Sequence, residues 1–274
     1  MKLGSPPLPV EPTYQEVADW AELVALQKGK LTRGKLGTEV DRIGGQPVLI
    51  ADAWRELEAR AALAKDHWTF TLSATEIARK SGNGADYALP AFLAALGLRE
   101  NIENSHRQLF EQCVSELVRA LLPNSMRIGF PRRPPVPIPF RDALAAYAAA
   151  IHEKVRAEPP SSDNDLKMDV VAWRVFGDGR GGYLHLIGQC ATGADWVDKL
   201  DELNLSVIAE HLAWGVEPLR FFATPHVIGA QEMRRVSLRA GLVLDRPRLL
   251  ELAQTAPLAA PTTQEVLNAL MGLY

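Results

Sequence analysis

An aspartate at the head of an apolar run is unfavourable unless something partners it. In the stretch DLKMDVVAW, Asp169 precedes Val170, Val171, Ala172 and Trp173. The next apolar run, YLHLIGQCA, closes on Gln189 and Cys190, and Lys199 follows within ADWVDK. Side chains alternate across a strand. If Asp169 pairs directly opposite Gln189, their oxygens share a face and can share a hard divalent cation. A slip of one residue puts them on opposite faces and removes the site. The aligned register is the expectation. Each residue also has an ordinary role open to it: Asp169 as a strand-opening cap, Gln189 as a partner for loop backbone, and Lys199 as part of a solvated face among Asp195, Asp198, Asp201 and Glu202. Glu111 has the exposed face of a helix open to it. Glu153 is a rival carboxylate, while Asp163 and Asp165 read as loop solvation.

The elements that must position these groups follow from periodicity. MDVVAWRVF and YLHLIGQCA, joined by GDGRGG, read as an antiparallel hairpin. Those glycines join two strands and open no helix, so a phosphate-cradling loop is disfavoured. Upstream, SHRQLFEQCVSELVRALL puts Leu109, Cys113, Leu117 and Val118 on one helical stripe. MRIGF reads as a short strand, PRRPPVPIPF as an extended proline arm, and FRDALAAYAAAIHEKVRAE as a helix ending before Pro159. Downstream come a helix over ADWVDKLDEL, a strand at LRFFATP, an arginine-rich segment, a strand at GLVLD and two closing helices. From Tyr14 to about Leu98 the pattern is almost wholly helical. QKGKLTRGKLG is expected as a basic loop, SATEIARK as a helix started by a Ser73–Glu76 capping box, and Pro90 in the first turn of YALPAFLAALGL.

The 274 residues, 47% hydrophobic and 23% charged with net charge −3, describe an ordinary globular chain. Length favours two domains, divided near residues 101–105. With so little net charge, any polyanion must be met by local positive charge. Arg127, Arg132, Arg133 and Arg141 surround the proline arm; Arg234, Arg235 and Arg239 come later. Cys113 and Cys190 form no disulfide framework, and Cys190, lacking a His/Asp partner spacing, reads as a buried small hydrophobe. The histidines show no HxH or HExxH pair. The first residues have no apolar core for a signal peptide, and ALAAYAAAI is about half of the ~18 residues a membrane span needs. A cytoplasmic location without membrane association is the expectation.

From Ser105 onward the order is helix, strand, inserted proline arm and helix, hairpin, helix, strand. Apart from the insertion, this is similar to the core of the PD-(D/E)xK nuclease superfamily. DLKMDVVAW resembles the DGGIDVIA-type segment of Mrr-like restriction endonucleases, where the last aspartate holds a divalent metal. LHLIGQC resembles the following strand of that group, which often ends in IQxK, and LFEQCVSELVRALL resembles the first helix with its glutamate. The likeness covers roughly residues 105–225 and implies catalytic roles for Asp169, Gln189 and Glu111. Ala191 stands where the family lysine belongs, so the implied donor is Lys199, with Trp196 anchoring its turn.

The resemblance further implies Mg²⁺ or Mn²⁺ held by Asp169, Gln189 and a backbone carbonyl at Cys190. DNA would be contacted through Arg132, Arg133, Arg235 and Arg239. The fold it implies is α+β: a helical partner- or DNA-binding domain over 1–104 and, over 105–274, a restriction-endonuclease-like core whose central mixed sheet is flanked by helices. The function implied is DNA endonuclease activity in restriction or anti-phage defence, in an oligomer or beside an ATPase or other defence subunit. The alternative is a nuclease-like DNA-binding or assembly subunit that no longer cuts, to which the glutamine and the missing lysine both point. A chance match of the hairpin to an unrelated α/β protein is the weakest reading.

Overall fold

The computed structural model describes residues 7–82, 85–98 and 102–272. Helix α1 (Tyr14–Lys28) starts at Thr13, whose hydroxyl accepts from the Glu16 N–H while the Glu16 carboxylate accepts from the Thr13 N–H. This reciprocal capping satisfies two donors a helix start otherwise leaves open. The helix stops at Gly29, whose φ of 90° is open to glycine at little cost.

The basic segment that follows is not a loop. It forms strand β1 (Lys30–Thr32) and the start of helix α2 (Arg33–Arg42), with the Thr32 hydroxyl accepting from the Lys35 N–H. Helix α3 (Pro47–Ala64) then leads to strands β2 (Phe70–Leu72) and β3 (Glu76–Arg79), and helix α4 (Ala88–Gly97) carries Pro90 in its first turn. The expected helix over SATEIARK is therefore a strand. Ser73 Oγ does accept from the Glu76 N–H at 3.1 Å, but the Ser73 N–H also donates to the Glu76 carbonyl. Together these bonds close a turn between β2 and β3, and antiparallel pairing of β3 with both β1 and β2 outweighs the local helix signal.

Helix α5 (Asn104–Leu117) opens the second half, followed by strand β4 (Asn124–Arg127), the proline arm and helix α6 (Phe140–Ala150). Helix α6 ends earlier than its alanine-rich pattern suggests. His152 adopts φ 55°, the Glu153 N–H turns back to the Ala148 carbonyl, and Lys154–Val155 becomes strand β5.

Strands β6 (Val170–Trp173) and β7 (His185–Cys190) form the expected antiparallel hairpin. Beyond them lie α7 (Leu205–His211), β8 (Leu212–Ala213), β9 (Leu219–Ala223), α8 (Ala230–Ala240), β10 (Leu242–Leu244), α9 (Arg246–Thr255) and α10 (Ala260–Gly272). The helix expected over ADWVDKLDEL is a single 3₁₀ turn, Trp196–Lys199, and the regular helix α7 starts only at Leu205.

The central sheet has the order β10-β9-β7-β6-β4 and is mixed. Its β4, β6 and β7 pair antiparallel, and β7, β9 and β10 pair parallel. Helices flank this sheet, so the protein is α+β. Strand alternation divides its side chains between two faces: Val170, Ala172 and Phe221 join Trp54, Phe92, Phe110 and Leu249, whereas on the other face Val171, Trp173 and Ile187 join Tyr147 of α6, and Phe222 and Val243 join Val236 and Ala240 of α8. The first of these clusters runs without a break from α1–α4 into α5, α9 and the sheet. No helix among the described residues is long and apolar enough to cross a membrane.

Candidate active site

The hairpin register pairs Val170 with Gly188 and Val171 with Ile187. Asp169 and Gln189 lie one residue beyond the last of these pairs and are not themselves paired in the ladder. The ladder loosens at this point: the Asp169 N–H donates to the Gly188 carbonyl, while the Cys190 N–H donates to Asp169 Oδ2 at 2.7 Å. Asp169 and Gln189 thus meet where β6 begins and β7 ends, on the wall of a hollow of about 200 Å³. Glu111 of α5 and Lys199 line the same hollow. The hollow thus brings together the four residues expected to be catalytic.

The two carboxyls are forced close. A methyl group at Gly129 would lie 2.8 Å from Glu111 Oε2 and 3.0 Å from Asp169 Oδ1, so only a glycine lets both acids approach here. Burial pushes the Glu111 carboxyl up to about 7, even though the Arg127 guanidinium grips it at 2.8 Å; Asp165 adds to the rise. Burial and then the charge of Glu111 push Asp169 well above the ordinary aspartate range, against the pull of the Cys190 N–H. Burial likewise drives the Cys190 thiol well up, with Asp169 adding to it, so the thiol stays protonated and is no nucleophile.

Gln189 is almost wholly buried. Its Nε2 donates to Glu202 Oε2 at 2.7 Å, and its Oε1 has no hydrogen-bond partner. An orphaned amide oxygen on a residue that lines the same hollow as two acids supplies oxygen donors of the kind a hard cation takes. Among the described residues, no group of three or more His, Cys, Asp or Glu side chains is arranged to hold a metal. Any ion here therefore depends on the amide and on backbone or water oxygens.

Position 191 carries no ammonium: Ala191 is buried against Phe222 and Val243, with its N–H on the Ala223 carbonyl. Lys199 lies 3.1 Å from Asp195 Oδ1. Trp196 packs on Phe222 and stacks on His226, fixing the 3₁₀ turn that carries the lysine. In such a turn residues three apart fall on one side. A second ammonium, Lys167, lies 3.2 Å from the Glu202 oxygen that Gln189 also uses.

Lys167, Glu202, Asp165, Arg107 and Arg127 all stand at or behind the hollow and were not singled out as its members. The available signal was the Asp165, Lys167, Asp169 spacing in DLKMD. It was hidden because Leu166 and Lys167 adopt positive φ, which makes this segment a turn that Asp165 pins by accepting from the Lys167 and Phe130 N–H groups.

The rival carboxylate Glu153 is elsewhere, accepting from the Gly182 and Gly215 N–H groups. The arginines divide. Arg132 is buried and donates to the Ile138 and Ile128 carbonyls, holding the proline arm. Arg133 is exposed near Gln108, Arg235 is exposed on α8, and Arg239 pairs with Asp201 at 2.5 Å.

No family model, curated protein or solved structure matches the chain.

Proposed function

We propose that the protein is a metal-dependent DNA endonuclease with a PD-(D/E)xK-like centre, acting in the cytoplasm in restriction or anti-phage defence. The observation that carries this reading is the meeting of Asp169, Gln189, Glu111 and Lys199 in one hollow, with Gln189 Oε1 buried and unpartnered. Asp169, Gln189 and a backbone oxygen at Cys190 would hold Mg²⁺ or Mn²⁺, whose contribution when bound is to neutralise phosphate charge and acidify water. The chain's own groups do the rest. Arg127 fixes the Glu111 carboxyl, and Glu202 orients the Gln189 amide. Lys199 stabilises the charge that develops on the phosphate, a contribution worth ~10²–10³ in rate for one such group. The restriction-endonuclease-like fold, the DNA partner and an accompanying ATPase or other defence subunit belong to the same proposal.

The second reading, a DNA-binding or assembly subunit that no longer cuts, has its own support. Ala191 occupies the usual lysine position, and both ammonium groups at the hollow are paired to carboxylates. Incubation of purified protein with supercoiled plasmid and linear duplex separates the two. Nicking that needs Mg²⁺ or Mn²⁺ and stops with a chelator supports the nuclease. Salt-sensitive DNA binding without cleavage, alone or with the products of neighbouring genes, supports the subunit. No DNA affinity at modest salt defeats both.

A further inference from the structure

Three cations stand around the hollow: Arg107 on α5, Lys167 in the turn before β6, and Lys199. Two are already engaged, Lys167 by Glu202 at 3.2 Å and Lys199 by Asp195 at 3.1 Å. Arg107 is exposed, and among the described residues its guanidinium has neither a hydrogen bond nor a carboxylate at ion-pair distance. Its field still reaches the rim: after Lys199, it helps hold the Asp195 carboxyl below the ordinary aspartate value.

An anion entering the hollow must compete with a carboxylate to reach either lysine, whereas Arg107 offers a planar fork, unpaired among the described residues, that matches phosphate geometry. The floor beyond it holds Asp169 and Gln189. A phosphate seated on the rim therefore fixes where its strand crosses the floor, the positioning role that backbone contacts play.

We infer that Arg107 takes a backbone phosphate of the bound DNA strand at the entrance to the hollow; this rests on the nuclease reading of that hollow. The full chain is titrated with salt against a fluorescein-labelled DNA duplex and its cleavage kinetics are measured, for wild type, Arg107→Ala and Arg107→Lys. In Arg107→Ala the slope of log affinity against log salt becomes shallower by ~0.9, one phosphate contact on duplex DNA. KM rises while kcat holds, the mark of lost binding that is equal in ground and transition states. Arg107→Lys keeps the wild-type slope, because it keeps the charge. A folded Arg107→Ala with unchanged slope and KM, beside a wild type that binds and cuts, overturns this assignment and leaves the nuclease reading standing. A wild type that neither binds nor cuts the duplex overturns both.

Discussion

Asp19 and Asp169 are both aspartates withdrawn from water, yet they end on opposite sides of the ordinary aspartate value. At Asp19 the cost of burial is outweighed by Arg246 and Arg60, which approach Oδ1 to 2.6 and 2.5 Å and bring its carboxyl down. Glu22 shares both arginines, and Glu56 takes the remaining edge of Arg60. At Asp169 burial is reinforced by Glu111, and the carboxyl goes up. The first set is a charge cluster in which both buried acids of α1 are paired to arginines of α3 and α9, although Arg246 Nη2 itself is buried without a hydrogen-bond partner. The second is left open, with two acids crowded at Gly129 and an amide oxygen without a partner. Buried charge by itself therefore does not mark a functional centre. The mark is a buried acid whose charged neighbour is a second acid, as Glu111 is to Asp169, in place of the arginines that neutralise Asp19.

Four experiments would break or sharpen this contrast. The largest effect is expected from Asp169→Ala, which should abolish DNA cleavage without lowering the midpoint of urea unfolding. Parallel loss of both would make the hollow a second structural cluster. Next, Arg246→Ala should cost about 3–5 kcal/mol of unfolding free energy, because it strands Asp19 and Glu22 as under-compensated buried charges. A urea titration showing a loss of less than about 1 kcal/mol, the level of an exposed pair, would mean these acids do not depend on Arg246.

Third, Lys199→Ala should cut ~10²-fold more slowly in single-turnover assays. Lys167→Ala should lose less, since Lys167 is 56% exposed against 29% for Lys199. The reverse order would move the catalytic ammonium to the turn before β6.

The smallest effect is the pH dependence of stability. Glu111 has a folded value raised to about 7, so its contribution is fully present below the ordinary glutamate value and is lost as pH rises through about 7. The lowered Asp19 works the other way: its contribution is present above the ordinary aspartate value and is lost as pH falls. Thermal unfolding of wild type and Glu111→Gln between about pH 5 and 8 reads the first term. The substitution should flatten the decline, and an unchanged slope would remove Glu111 from the account.

How far these regions were legible in the sequence depended on the range of the interactions. The β6–β7 hairpin was readable because apolar residues alternate on both sides of a glycine-rich turn, and Asp169 and Gln189 followed from its ends. The β3 strand was not: four residues, Glu76–Arg79, hold too little periodicity to separate strand from helix, and pairing with β1 and β2 decided it. Glu202 looked like part of a solvated face, and nothing in the sequence marked Lys167, because their partners come from other loops. Arg132 looked like a phosphate contact and holds the proline arm, a role visible only when the Ile128 and Ile138 carbonyls stand around it.

By itself the sequence determined the alternating hairpin, the amphipathic helices and the chemical types of the residues at their ends, since these are set by spacing along one segment. Tertiary structure alone decided which acids share a hollow, which arginines pair with acids and where the charge cluster forms. Asp19 and Arg246 meet across 227 residues of chain. Whether a charge is neutralised or left waiting depends on distance in space, and local periodicity carries no record of it.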